Sequence, residues 1–329
     1  MTRLAAARPG AALALLAGAA VAALVLGLTA GSAGFDGLAD ATILWQVRAP
    51  RVAAGFATGA LLALAGALLQ GLTRNPLSDP HVIGVSGGAS VGALAWLLFA
   101  PEAGVAIGAM LGAAGAASLL LALAWRVTAR AQQPLAGAGP VGEAGATVLL
   151  LGVMIGAGCA AGVSLLLALA PEGRLRGMVF WLLGDLNGVA AWWPAALALV
   201  AALALAWPRA RELDLMARGE AWAATLGVPV ARRRREALLA ASIATGAAVA
   251  TAGAIGFVGL VVPHALRLAG VRGAAALLPA SALAGGAFVV LADAIARSAF
   301  APLQLPVGVL SAAVGVPVFV ALLLRGSRR

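Results

Sequence analysis

The stretch Ala11–Leu28 reads AALALLAGAAVAALVLGL, with an apolar side chain or a glycine at every position. A strand of a membrane barrel alternates apolar and polar residues over about ten positions. Neither this run nor Ala195–Trp207 alternates. A helix that is apolar on every face belongs in lipid or in a large core, and about 20 such residues cross a bilayer. Working outward, the same signature recurs, and the spans read Ala11–Ala30, Val52–Thr73, Val82–Ala100, Val105–Val127, Ala146–Leu169, Trp192–Trp207, Ala237–Thr251, Gly253–Leu268, Leu277–Ala296 and Pro306–Leu324. The chain of 329 residues is 63% hydrophobic and only 10% charged. A soluble domain carries about 25% charge, so lipid must cover much of this surface. The expectation is an all-α polytopic membrane protein of about ten transmembrane helices in an inner membrane. The apolar run in residues 1–34 exceeds the core of a signal peptide, about 7–15 residues, so the first span is read as retained.

The net charge of +10 comes from 22 arginines and no lysine. A basic chain can bind nucleic acid, but these arginines sit between apolar spans and read as an orientation signal, so no nucleic-acid partner is expected. With the N-terminus inside, the outer side receives Arg48, Arg51, Arg174, Arg176 and Arg297, and the other seventeen fall inside. Both termini are then cytoplasmic. The absence of lysine removes the P-loop lysine, so this chain is not itself a standard ATPase. Its one cysteine, Cys159, excludes an intrachain disulfide.

The longest hydrophilic stretch, 208–236, falls inside as a loop between spans six and seven. Within it Trp222 and Leu226 share a helical face, and Gly227 and Pro229 end that helix. This amphipathic segment is either a docking surface or a linker lying on the membrane. Arg232–Arg235 reads as an orientation and headgroup signal. Asp293 is an acidic residue inside a span, a functional candidate by default, yet Arg297 lies one helical turn away and an ion pair accounts for it. His81 and His264 stand alone beside prolines and form no ligand cluster. No catalytic cluster is visible on either face.

Several motifs occur in order: Arg48-Ala-Pro-Arg51; Gln70-Gly-Leu-Thr-Arg-Asn75-Pro76-Leu77-Ser-Asp79-Pro80; Gly84-Val-Ser86-Gly-Gly88; Trp181-Leu-Leu-Gly184-Asp185-Leu; Gly253-Ala-Ile-Gly256-Phe257-Val-Gly259-Leu-Val-Val-Pro263-His264; and Leu305-Pro306-Val-Gly308. From about Arg48 to Leu324 the chain resembles the FecCD family of ABC importer permeases. The resemblance implies a single permease domain over 1–329 with the type II importer fold. It also implies a second permease copy, two cytoplasmic ATPase subunits that bind ATP and magnesium, and a periplasmic substrate-binding protein. This chain would hold no cofactor of its own.

The same resemblance implies roles for residues. Gly219, Glu220, Ala221, Trp222, Ala223, Ala224, Leu226 and Gly227 match the helix that couples to the ATPase. Arg51 and Arg297, with Arg48 as an alternate, match positions that meet carboxylates of the binding protein. Arginine suits that task through its bidentate fork; headgroup anchoring is the other reading. Apart from the resemblance, the small side chains on the Gly-rich side of span five leave room for a large chelate, and the translocation path is placed there, at Met154, Gly158, Cys159 and Gly162. The cargo implied is a metal chelate: haem, a corrinoid or a ferric siderophore. An ion-driven secondary transporter is the alternative, although that class places ionisable residues at mid-membrane, and almost none are present here.

Overall fold

The computed structural model describes residues 9–30, 41–100, 104–131, 143–189, 191–299 and 303–326. Helix α1 spans Pro9–Thr29. A short turn, α2 (Ala41–Ile43), passes through a π-helical turn at Leu44–Arg48 into α3 (Ala49–Thr73). There follow α4 (Val85–Phe99), α5 (Val105–Ala131), α6 (Glu143–Ala168), α7 (Glu172–Leu182) and α8 (Trp193–Ala206). The remainder comprises α9 (Ala210–Arg218), α10 (Glu220–Thr225), α11 (Val230–Ala252), α12 (Val258–Leu268), α13 (Ala274–Ser298) and α14 (Val307–Gly326). Seven helical stretches are long and apolar enough to cross a bilayer. Helices α4 and α12 are shorter apolar helices, and α11 has the length but opens with arginines. Together they make the ten expected from sequence.

Helix α3 is the central column. Its apolar window is 89% buried, whereas that of α6 is 6% buried. Most of its face is glycine, alanine and leucine, so neighbours approach at backbone distance. A Cβ on Gly59 would lie 2.2 Å from the carbonyl oxygen of Gly285 in α13, and one on Gly66 would lie 1.9 Å from that of Gly259 in α12. In lipid, where burial of apolar surface gives no preference for helix over tail, such contacts hold helices together by packing.

The structure departs from the sequence expectation in three places. Helix α7 occupies the stretch between Leu169 and Trp192 that the span pattern leaves as an external loop. Its first two turns carry Glu172, Arg174 and Arg176, which interrupt the hydropathy signal. The loop at 208–236 is mostly helical, and α11 begins at Val230, so Arg232–Arg235 stand on its first turns. The eighth span begins later than expected: residues 253–257 are not helical, and α12 has only 11 residues. At about 1.5 Å per residue it cannot cross the roughly 30 Å hydrocarbon layer alone. Helices α11 and α12 are thus separated by irregular backbone that must be satisfied by protein rather than by water.

Candidate functional site

That irregular stretch is where three of the sequence motifs meet. Gly253 has φ +68°, and a Cβ there would come within 2.1 Å of the Trp181 carbonyl oxygen; a Cβ on Gly308 would come within 2.0 Å of that of Leu183. The Asp185 amide donates to the Ala252 carbonyl (2.9 Å) and the Gly308 amide to that of Gly184 (3.2 Å). His81 Nε2 reaches the Ile255 carbonyl (2.9 Å), its Nδ1 reaches Ser86 Oγ (2.8 Å), and Ser311 Oγ donates to the Gly256 carbonyl (3.1 Å). Gln70 Nε2 donates to the carbonyls of Gly259 (3.2 Å) and Leu260 (3.1 Å). His81 therefore closes a backbone break. His264 packs edge-on to Phe319. Among the described residues no group of metal-ligating side chains forms. Phe257 takes φ +69°, a strained conformation for a bulky residue. A Cβ on Gly315 of α14 would sit 2.6 Å from the Phe257 Cβ, so glycine leaves the room this residue occupies.

At the end of the molecule where α3 starts, arginines gather around Asp293, which is 2% exposed. Arg51 Nη2 donates to Asp293 Oδ1 (2.8 Å), its Nε to both carboxylate oxygens (3.1 Å), and Arg297 Nε pairs with Oδ2 (3.0 Å). Arg51 Nη1 also donates to Asn187 and Gln304. The remaining nitrogens of Arg297 donate to the carbonyls of Ala30 (3.1 Å) and Gly27 (3.0 Å), and Arg48 Nη1 to those of Leu28 and Thr29 (3.1 Å). Two guanidinium groups thus cap the carbonyl end of α1, where a helix leaves acceptors unpaired and negative potential gathers.

Arg51 and Arg297, the positions matched to binding-protein docking, are 8% and 5% exposed, and their nitrogens are engaged inside the chain, where a buried carboxylate at Asp293 holds both. Arg48 is half-buried and bound to α1. The one-turn pairing of Asp293 with Arg297 is present, and Arg51 is the partner that sequence spacing did not reveal.

At the opposite end, α10 stands between two glycines in left-handed backbone, Gly219 (φ +153°) and Gly227 (φ +84°). Ala223 is fully buried against Met216 and Val228. Trp222 and Leu226 are 47% and 54% exposed, and Ala221, Ala224 and Gly227 are exposed with them. Buried Glu220 pairs with buried Arg234, which fastens α10 to α11. Beside it, Glu236 forms ion pairs with Arg209 (2.7 Å), Arg232 (3.0 Å) and Arg233 (2.7 Å), the last two also hydrogen bonds, and Arg233 also pairs with Glu212 of α9. Hydrogen bonds that Arg233 donates to Glu212 and Glu236 raise its pKa. Burial pushes Glu236 up, but hydrogen bonds from Arg233 and Arg232 outweigh it and hold the carboxyl below its ordinary value. Three of the four consecutive arginines are thus ion-pair partners within the protein, beyond the headgroup role expected from sequence.

The four residues placed on the translocation path divide. Met154 and Gly158 lie on the exposed face of α6. Cys159 and Gly162 turn toward α4, where a Cβ on Gly87 would come 2.7 Å from that of Cys159 and one on Gly162 would come 3.2 Å from Val91.

Residues 10–325 match the FecCD transport family. The vitamin B12 import system permease protein BtuC of Escherichia coli O157:H7 (strain EC4115 / EHEC) is 38% identical over 291 residues, covering 87% of this chain and 84% of that protein. The proteins of the same description from Shigella sonnei (strain Ss046) and Salmonella paratyphi A (strain ATCC 9150 / SARB42) match to the same extent. Among solved structures, a protein described as a metal-chelate type ABC transporter in an inward-facing conformation superposes with a TM-score of 0.82 at 28% identity, over 96% of this chain and 99% of that one. Family match, seven helical stretches long and apolar enough to cross a bilayer and the apolar surface agree: the chain belongs to the FecCD transport family and is a multi-pass inner-membrane permease of the ABC transporter class.

Proposed function

We propose that this chain is the membrane path of an ATP-driven importer that moves a metal chelate, of the corrinoid, haem or ferric siderophore kind, into the cytoplasm. The observation that carries the reading is α10. It is a short helix pinned from below by Ala223 and by the Glu220–Arg234 pair, and it presents Trp222 and Leu226 outward. An exposed apolar knob on a fixed base suits a groove on an ATPase, and the ion pair to α11 gives a mechanical link from that groove to the membrane helices.

In this reading the arginine-rich end is cytoplasmic. Two permease copies meet two ATPase subunits there, and a periplasmic binding protein sits on the end that holds Arg48, Arg51 and Arg297. The exposed face of α6 with Met154 and Gly158 borders the path. ATP and magnesium belong to the partner subunits. The membrane acid Asp293 is consumed by two arginines, which leaves little for proton or sodium coupling. The test is uptake in proteoliposomes that contain the permease, its ATPase and the binding protein. Cobalamin, haem and a ferric siderophore are offered in turn, with ATP inside and no ion gradient. ATP-dependent accumulation of one cargo is expected. Uptake that survives ATP depletion and collapses with an ionophore would overturn the reading.

A further inference from the structure

A cavity of about 530 Å³ lies at the arginine-rich end, between the end of α3, helix α9 and the α12–α13 connection. Arg74, Arg267 and Arg272 line it, together with Asp214. Asp214 is already engaged: its Oδ1 accepts the Ala274 amide at 2.8 Å and caps α13. Arg267 is half-buried and, among the described residues, donates to neutral acceptors, Gln70 Oε1 and the Ala67 carbonyl. Among the described residues no carboxylate pairs with Arg74, Arg267 or Arg272. Elsewhere at this end the buried and half-buried Arg209, Arg233 and Arg234 have carboxylate partners, whereas Arg211, Arg218 and Arg235, unpaired among the described residues, are exposed, so Arg267 stands apart as a half-buried guanidinium without one. A half-buried guanidinium facing a cavity is costly without an anion.

The rest of the lining defines the anion. Leu68, Leu72, Leu213, Met216 and Leu277 supply apolar wall beside the three guanidinium groups. A free phosphate would use the charges and leave that wall bare. A phospholipid uses both, with its phosphate on the arginines and the glycerol and upper acyl chain along the leucines. Basic pockets between membrane helices on the cytoplasmic side hold anionic lipid headgroups. We propose that this cavity is a specific site for an anionic phospholipid. Arg267 and Arg272 hold the phosphate, and Arg74 closes the open side. Met216 lines the cavity and also packs under Ala223, so the lipid braces the base on which α10 stands.

The test uses the full chain in detergent, exchanged into phosphatidylglycerol or phosphatidylcholine, with retained lipid read by native mass spectrometry. The wild type is expected to keep phosphatidylglycerol in preference. Arg267→Gln with Arg272→Gln is expected to weaken that retention about thirtyfold, at roughly 1 kcal/mol per arginine. The exposed Arg272→Gln alone gives a smaller loss in the same direction without touching a buried contact. Arg235→Gln, exposed and outside the cavity, is expected to leave retention unchanged. Equal retention of both lipids by the wild type would overturn the site. So would an equal loss with Arg235→Gln, which would assign the lipid to surface charge. Displacement of phosphatidylglycerol by millimolar inorganic phosphate would make this a free-anion site and overturn the lipid assignment.

Discussion

Asp293 carries one negative charge between two buried guanidinium groups. Removing one partner from a buried ion pair leaves uncompensated charge and costs about 3–5 kcal/mol. Asp293→Asn keeps the shape and removes the charge, so Arg51 and Arg297 then repel across a dry site. Its thermal unfolding midpoint in detergent should fall clearly below the wild type, and Arg51→Gln added to it should restore part of the loss by removing one orphaned cation. A null effect of Asp293→Asn would mean that water reaches the cluster. Glu236 gives a pH signature. Its folded pKa is depressed from the ordinary 4.5, so its contribution is fully present above that value and is lost as pH falls through the lower folded pKa. Arg233 is raised above its ordinary value and so contributes at every working pH. Stability measured downward from pH 6 should therefore decline below about pH 4.5, and Glu236→Gln should flatten that part of the profile.

At the scale of elements, the exposed face of α10 separates coupling from folding. Trp222 and Leu226 lie in solvent, and exposed substitutions usually move stability by no more than about 0.5 kcal/mol. Trp222→Ala with Leu226→Arg should therefore leave the permease folded while it loses its ATPase on co-purification. Normal complex yield would place the ATPase elsewhere. The α11–α12 break gives a second element-level test. Gly253→Ala forces a Cβ to within 2.1 Å of a backbone oxygen at positive φ, whereas a Cβ on Gly256 meets nothing within 4 Å. The first should collapse the yield of folded protein and the second should leave it near normal. Helix α10 was legible in the sequence because Gly219 and Gly227 bracket a four-residue apolar spacing. The pairing of Asp293 with Arg297 was legible for the same local reason. Arg51 lies 242 residues from Asp293 and His81 lies 174 from the carbonyl that it closes. No local period reports such contacts. The break before α12 was equally hidden, since Ile255, Phe257 and Val258 are as apolar as a helix in lipid, and backbone conformation does not enter hydropathy.

Across the whole molecule the two ends carry their charge differently, and that decides how docking at the α1 end is tested. Arg51 and Arg297 share one aspartate and Arg48 sits beside them on the carbonyl end of α1, so the cluster is net positive even though its forks are occupied inside the chain. A field of that sign attracts acidic lobes of a partner at a distance and speeds association, and salt screens it. Replacing Arg51 or Arg297 by Glu places a second carboxylate against buried Asp293, so a loss of binding in either variant would report a broken scaffold. Arg48 is the informative position. It is half-buried, and among the described residues its side chain bonds the carbonyl end of α1, so Arg48→Gln removes charge at the cost of a cap. Binding-protein association with Arg48→Gln should slow at low salt, with the deficit shrinking as salt rises and with the unfolding midpoint close to the wild type. If the rate is unchanged at low salt, long-range attraction from this cluster plays no part. The arginines would then serve to tie α1, α3 and α13 together.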